Sequence, residues 1–203
     1  MGMRRASARR MGVEGSEIRI QLIEEAAKLI KKEGWEAVTA RRLAEKLGLK
    51  RQIVHYYFST IEDLLIAVIR RDTEAIRERL IRDLHGDEPL RVIWELGARI
   101  PATIFEFTSM ALRRKAIQAE IRRHLIEFRK IEIAAIDRYL QLRGIRPTVS
   151  PAVMALVLSS IGHTLTTERV LGTVEGHAQV KDLVENWMQA YAVSGGLSAD
   201  HRH

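Results

Sequence analysis

The stretch that decides the fold runs from Thr39 to Leu64 and reads TARRLAEKLGLKRQIVHYYFSTIEDL. Thr39 is a suitable helix cap, because its hydroxyl accepts a hydrogen bond from a backbone N–H two or three residues on. The leucines and alanine that follow share one helical face. Gly48 tolerates the left-handed backbone that often ends a helix, and a second short helix is predicted from about Lys50 to Tyr57. Two helices joined by such a turn indicate a helix-turn-helix.

The second helix carries polar side chains on its predicted open face. Arginine, lysine, glutamine, histidine and tyrosine supply donors that suit phosphate oxygens and base edges. On the pattern alone, a hairpin that binds DNA and a hairpin that binds nothing are equally compatible with the sequence.

This stretch resembles the DNA-binding domain of the TetR family of bacterial repressors. The usual pattern of that family is T-x-R-x-[IL]-A-x-x-[AL]-G-[VL]-S-x-x-x-[LI]-Y-x-[HY]-F-x-[SN]-K-E-x-L. Three positions depart from this pattern. Lys50 stands where a small helix-capping residue is usual, and His55 stands where a tyrosine is most common. Ile61 stands where a lysine usually reaches a phosphate. The matching residues are Thr39, Arg41, Leu43, Ala44, Leu47, Gly48, Leu49, Val54, Tyr57, Phe58, Glu62 and Leu64.

The resemblance implies a dimeric regulator that binds double-stranded DNA at a pseudo-palindromic operator, since two symmetry-related recognition helices enter successive major grooves. Arg41 and Gln52 are the first candidates for base contacts, because Arg pairs well with guanine and Gln with adenine. For Tyr57 a packing role remains an alternative. The predicted DNA-binding residues are Thr39, Arg41, Lys50, Arg51, Gln52, His55, Tyr56 and Tyr57.

The charge of the chain is concentrated near this stretch. The net charge is +7, and residues 1–71 hold 15 Lys and Arg against 9 Asp and Glu. Residues 72–203 hold 18 against 17. A localised basic surface favours a polyanionic partner. A solvated basic face with a basic tail is the plainer interpretation, because residues 1–15 alone contribute four Arg against one Glu.

Composition excludes several classes of protein. The chain has no cysteine, which excludes disulfides and thiolate sites and fits a reducing cytoplasm. Its apolar stretches are too short for a membrane span, and no apolar segment follows the basic start as it would in a secretory signal. We therefore predict a cytoplasmic protein that does not associate with membranes.

Helical periodicity extends through the chain, and no strand alternation is seen. We predict an all-α fold: a disordered basic arm at 1–15, a three-helix head with the helix-turn-helix at 16–60, a larger helical domain for ligand binding and dimerisation at 61–193, and a disordered tail at 194–203. Ser16, Thr60 with Asp63, and Ser150 before Pro151 are predicted helix starts. Pro101 should kink or end a helix, and a short helix is predicted at Ser109–Lys115.

The C-terminal domain supplies candidates for two further sites. The family resemblance implies an effector pocket there, and its apolar residues favour a small hydrophobic or amphipathic molecule. For each residue of the pocket set, an ordinary core role is the alternative. The pocket candidates are Trp94, Phe105, Phe107, Met110, Phe128, Met154, Leu158, His163, Thr164 and Glu168. The resemblance also places the last two long helices in a homodimer interface, with closure of one subunit's own core as the alternative role. The interface candidates are Val157, Ile161, Val184, Trp187, Met188 and Tyr191.

A helical enzyme or metal-carboxylate protein with a nonspecific basic surface is the alternative function. The sequence lacks H-E-x-x-H, G-x-S-x-G, phosphate-loop and dinucleotide motifs. Glu120 and His124 are spaced i, i+4 rather than the i, i+3 of helical di-iron sites, and have no second copy. An adaptor that binds proteins through helix grooves would leave the basic head unexplained. We predict no enzyme, no cofactor and no metal.

Overall fold

The computed structural model describes residues 16–98 and 103–194, with side chains for 16–98 and 107–191. All regular structure in these ranges is helical, as predicted. The predictions for the arm at 1–15, for Pro101 and for the tail beyond residue 194 lie outside the described residues. The helices are α1 Glu17–Glu33, a 3-10 turn Trp35–Ala37, α2 Ala40–Leu47, α3 Arg51–Tyr57, α4 Ile61–Asp83, α5 Pro89–Gly97, α6 Thr103–Ala111, α7 Lys115–Leu142, α8 Pro151–Leu171 and α9 His177–Ser194.

The predicted helix starts are confirmed by hydrogen bonds. The hydroxyls of Ser16 and Ser150 each accept from the backbone N–H three residues on, at 3.3 and 3.4 Å. At the start of α4, the N–H of Asp63 donates to the Thr60 hydroxyl at 3.1 Å. The Thr60 N–H in turn donates to the Asp63 carboxylate at 2.9 Å, which completes a capping box.

The described chain divides into two compact units. Unit 1 takes in the described residues up to 75 and those from 103 to 124, and unit 2 takes in 76–98 and 125–194. This division differs from the predicted boundary at residue 60. Helices α4 and α7 are each long enough to contribute residues to both units.

The core of unit 1 combines the helix-turn-helix with segments from later in the chain. Phe107 and Met110 are buried in the same cluster as Leu22, Leu43 and Leu64. These two predicted pocket residues therefore pack in the core of unit 1, and their part in an effector pocket stays a prediction. The short helix predicted at Ser109–Lys115 is wrong, because α6 runs from Thr103 to Ala111 and places both residues against the head.

Unit 1 also contains a buried carboxylate held by two arginines. Both Glu120 oxygens accept from Arg70, each at 2.9 Å, and Arg123 and His124 also contact Oε1. These hydrogen bonds, led by the one from Arg70, lower the pKa of Glu120 to about 2. Glu120, considered from the sequence as a possible metal ligand, is thus held by the guanidinium groups of Arg70 and Arg123. Across residues 16–98 and 103–194, no group of three or more metal-ligating side chains is found.

The core of unit 2 depends on a close helix contact. Gly97 at the end of α5 faces Gly162 of α8, and a Cβ at Gly162 would lie 2.7 Å from the Gly97 carbonyl carbon. The Thr166 hydroxyl donates to the Ala98 carbonyl at 2.9 Å nearby. Small residues therefore let these two helix backbones approach each other. Of the described helices, none combines the length and the apolar character that crossing a membrane requires.

Candidate nucleic-acid interface

A left-handed glycine sets the angle between α2 and α3. Gly48 has φ +65°, a conformation that side-chain-bearing residues adopt rarely. The Leu49 N–H then donates to the Ala44 carbonyl at 2.8 Å, which closes the helix end. Val54 is 1% exposed and Phe58 is 4% exposed, so these two residues fix α3 on the unit 1 core.

The opposite face of α3 is open to solvent. Arg51, Gln52, His55 and Tyr56 are all exposed, as is Lys50, which precedes the helix. Lys50 makes no side-chain cap bond, in agreement with its departure from the family pattern. The structure therefore places these five predicted residues on one short element.

Tyr57 is placed differently from the other predicted contacts. It is half-buried and packs against the core of unit 1. Its ring meets that of Tyr56 edge to face, with centroids 5.1 Å apart. The packing alternative for Tyr57 fits this position, and Tyr57 also supports the more exposed Tyr56 ring.

Two predicted contacts lie on or before α2. Thr39 caps this helix by accepting from the Arg42 N–H at 3.2 Å. Its hydroxyl retains a hydrogen of its own to donate, because accepting the cap bond uses only a lone pair. Arg41 is exposed and pairs with Glu45 at 3.3 Å across one helical turn. A surface pair of this kind is weak and exchanges readily for another anion.

Two surface concavities lie beside this arrangement. The larger, about 600 Å³, joins the start of α2 to α3, and the smaller is about 400 Å³. Thr39, Ala40 and Arg51 line both of them. Arg114, which sequence reasoning missed as a site residue, also lines the smaller one. The larger is lined by Thr39, Ala40, Arg41, Arg42, Glu45 and Arg51. The smaller is lined by Trp35, Glu36, Val38, Thr39, Ala40, Arg51, His55, Ile61, Leu65 and Arg114.

Carboxylates neutralise only part of the positive charge on this surface. Arg51 makes no ion pair within the described part of the chain, whereas Glu33 and Glu25 are paired with Arg42 and a lysine of α2. The Arg42 hydrogen bond lowers the pKa of Glu33. The exposed face of α3 and the start of α2 therefore present donors and positive charge, the chemistry that phosphate oxygens and base edges require.

The remaining predicted effector residues lie mostly in the core of unit 2. Trp94, Met154 and Leu158 are buried there, and Phe128 packs against them. The side chain of Phe105 is outside the described set. His163 is half-buried on α8, Thr164 is exposed, and the Glu168 carboxylate lies 2.8 Å from the His177 ring nitrogen at the start of α9.

The predicted dimer residues separate into two groups. Val184 and Met188 are 4% and 6% exposed and belong to the core of unit 2, so they offer no surface to a partner. Val157 is 42% exposed, and the side chains of Ile161, Trp187 and Tyr191 are partly buried. Sequence reasoning missed the exposed apolar side chains of Val153, Leu156 and Leu183. The candidates that remain after this comparison are Val157, Ile161, Trp187 and Tyr191.

Comparison with known proteins agrees with this geometry. The family described as "Bacterial regulatory proteins, tetR family" matches residues 22–68, which hold most of α1 and all of α2 and α3. The HTH-type transcriptional repressor AcnR of Corynebacterium diphtheriae is 26% identical over 176 residues, covering 77% of this chain and 89% of the relative. Residues 22–68 therefore hold a DNA-binding domain of the TetR family. Together with the relatives, this match supports a TetR-type transcriptional regulator.

Solved structures show the same fold beyond the matched segment. A transcriptional regulator from Saccharomonospora viridis, solved in complex with choline, has a TM-score of 0.68 at 20% identity, covering 87% of this chain and 94% of that one. FadR of Bacillus subtilis, solved with stearoyl-CoA, has a TM-score of 0.57 at 17% identity, covering 91% and 99%. The fold of these solved structures therefore extends through the C-terminal helices of this chain.

Proposed function

We propose that the protein is a ligand-responsive, dimeric transcriptional repressor that binds a pseudo-palindromic operator. The observation that carries this proposal is the exposed polar face of α3, anchored from behind by Val54 and Phe58. Arg51 and His55 extend from it beside the capped start of α2, and Gln52 is exposed on the same helix. Repression is favoured by the similarity to AcnR, whose name describes it as a repressor. A cytoplasmic location, where bacterial DNA is found, forms part of the proposal.

The test of DNA recognition is selection from random duplexes. Purified full-length protein should enrich an inverted repeat from a random duplex pool at a stated salt concentration. Arg41→Ala or Tyr56→Ala should greatly weaken binding to the enriched site, while thermal melting should show an intact fold. Binding that is sensitive to salt but independent of sequence would contradict operator recognition.

A homodimer is supported by apolar side chains on the outer faces of α8 and α9. Leu156 is 54% exposed, Val153 is 45% exposed, and Leu183 of α9 is 68% exposed. Val153 and Leu156 are three residues apart and so share one face of α8, and exposed apolar groups on such a face are typical of an interaction site. Leu156→Glu combined with Leu183→Glu should shift the protein to monomers in sedimentation velocity. Leu125→Glu, at a similarly exposed leucine of α7, is the control, and a dimer that survives the double change would contradict this placement.

A small hydrophobic effector is supported by the apolar core of unit 2 around Trp94, Met154 and Leu158. The two relatives solved with choline and stearoyl-CoA show that this fold accommodates small molecules. We infer that such a molecule acts through α4, which contributes to both units. By linkage, it releases DNA only to the extent that it prefers the conformation with weak DNA affinity. Compounds that dissociate the operator complex should therefore also raise the thermal midpoint of the protein without DNA.

A further inference from the structure

Arg114 lies far from the helix-turn-helix in sequence but beside it in the fold. It stands in the turn between α6 and α7, outside the family match at 22–68. It nevertheless lines the smaller concavity together with Thr39, Arg51 and His55. All four residues belong to unit 1. The concavity therefore gathers cations from two separate segments of the chain.

Contacts with two neighbouring elements position the Arg114 side chain. Its guanidinium carbon lies 4.9 Å from the centre of the Trp35 ring, a cation–π distance. Its terminal nitrogen is 3.9 Å from a Glu62 oxygen in the first turn of α4. That separation exceeds hydrogen-bond length, so the N–H donors of Arg114 remain available to another acceptor. The side chain is 38% exposed and can be reached from solvent.

The lining of the concavity suits a phosphate diester. Arg51 and Arg114 provide two permanent positive charges, and the Thr39 hydroxyl provides a further donor. Val38, Ile61 and Leu65 add apolar lining, while Glu36 is an acidic group on the rim that opposes the cations in part. Guanidinium groups bind phosphate oxygens with planar, paired hydrogen bonds. The position beside α3 makes the DNA backbone the phosphate source within reach.

We propose that Arg114 is a DNA-binding residue whose guanidinium contacts a backbone phosphate of the duplex engaged by α3. The proposal rests on the DNA-binding function proposed above and extends its surface to the α6–α7 turn. A phosphate contact positions the protein and adds affinity without reading sequence. Each neutralised phosphate contributes about 0.9 to the slope of log affinity against log salt. One contact therefore strengthens binding about eight-fold at 0.1 M relative to 1 M salt.

The test compares full-length variants on two duplexes across a salt series. Arg114→Gln removes the charge but keeps an alkyl stem against Trp35, and Arg114→Lys keeps the charge. Arg122→Ala, at an exposed arginine farther along α7, is the matched control. Affinities are measured by fluorescence anisotropy for the selected operator and a scrambled duplex, from about 0.1 M salt upwards. Circular dichroism at the assay temperature checks that each variant is folded.

Arg114→Gln should lose about eight-fold in affinity at 0.1 M salt, equally on both duplexes, with its slope reduced by about 1. Arg114→Lys and Arg122→Ala should retain the wild-type slope. An unchanged slope for a folded Arg114→Gln protein would overturn the proposal while leaving operator recognition by α3 intact. An equal loss in the lysine variant would also overturn it, since the charge would then not be what matters. Absence of duplex binding by the wild type would instead refute the proposed function.

Discussion

Glu132 of α7 is a carboxylate placed where ionisation is unfavourable. Glu132 is 5% exposed, and its Oε2 lies 3.0 Å from a guanidinium nitrogen of Arg129. The same arginine also donates to the Ser159 hydroxyl at 3.1 Å. Burial raises the pKa of Glu132 to about 7, and the attraction of Arg129 offsets only part of this effect. We predict that Glu132→Gln stabilises the protein near pH 8, because glutamine has similar shape and carries no charge.

The magnitude follows from the difference in proton affinity between the folded and unfolded states. The reference pKa is 4.5 and the folded value is about 7. The folded protein therefore binds the proton more tightly, and stability is lost as pH rises from 4.5 through 7. At about 1.4 kcal/mol per pKa unit, the full difference is about 3.5 kcal/mol. The stabilisation by glutamine should stay below about 1 kcal/mol at pH 5 and approach the full difference at pH 8.

The assay is urea unfolding followed by circular dichroism at several pH values between 5 and 8. Asp137→Asn, which also removes a carboxylate but at an exposed site of α7, should show no comparable change over this pH range. Equal slopes against urea would confirm that the same structure unfolds in each variant. A stability difference that does not vary with pH would refute the reasoning. So would a less stable glutamine variant at pH 8, because the Arg129 pair would then outweigh the effect of burial.

Two further predictions concern the packing of each unit. Gly162→Ala should destabilise unit 2 by about 1–3 kcal/mol in urea unfolding, although alanine has the better helix propensity. The reason is that its Cβ would lie 2.7 Å from the Gly97 carbonyl carbon and 2.8 Å from the Ala98 nitrogen. A variant of equal or greater stability would contradict the close helix contact. Glu120→Gln should destabilise unit 1 by about 1–3 kcal/mol at pH 7, because it breaks the paired hydrogen bonds from Arg70. The pKa of Glu120 is lowered to about 2, so the wild-type advantage exists above pH 4.5 and declines as pH falls towards 2; a gap that stays constant in acid would contradict this account.

Local signals in the sequence predicted local structure well. The caps at Ser16, Thr60 and Ser150 use side-chain groups within three residues of the helix start, so their geometry depends little on the rest of the fold. Gly48 adopts the predicted left-handed backbone for a similarly local reason. The exposed face of α3 followed from its short apolar pattern.

Tertiary placement was not accessible in the same way. The sequence singled out Phe107 and Met110 as apolar pocket candidates and Val184 and Met188 as interface candidates, but it did not indicate what each of them packs against. Phe107 and Met110 pack in unit 1, and Val184 and Met188 pack within unit 2 of the same chain. Arg114 had no local signal at all, because its proximity to α3 depends on how α6 and α7 pack in unit 1.

The most direct measurement of the central claim is the specificity ratio of Gln52→Ala. Gln52 is exposed on α3 and is the predicted adenine contact. The wild-type and variant proteins would be titrated with the selected operator and with a scrambled duplex at the same salt concentration. Loss of one paired base contact should lower the ratio of the two affinities about 5- to 150-fold, with affinity for the scrambled duplex unchanged. An unchanged ratio in this variant would contradict sequence reading by Gln52 on the open face of α3.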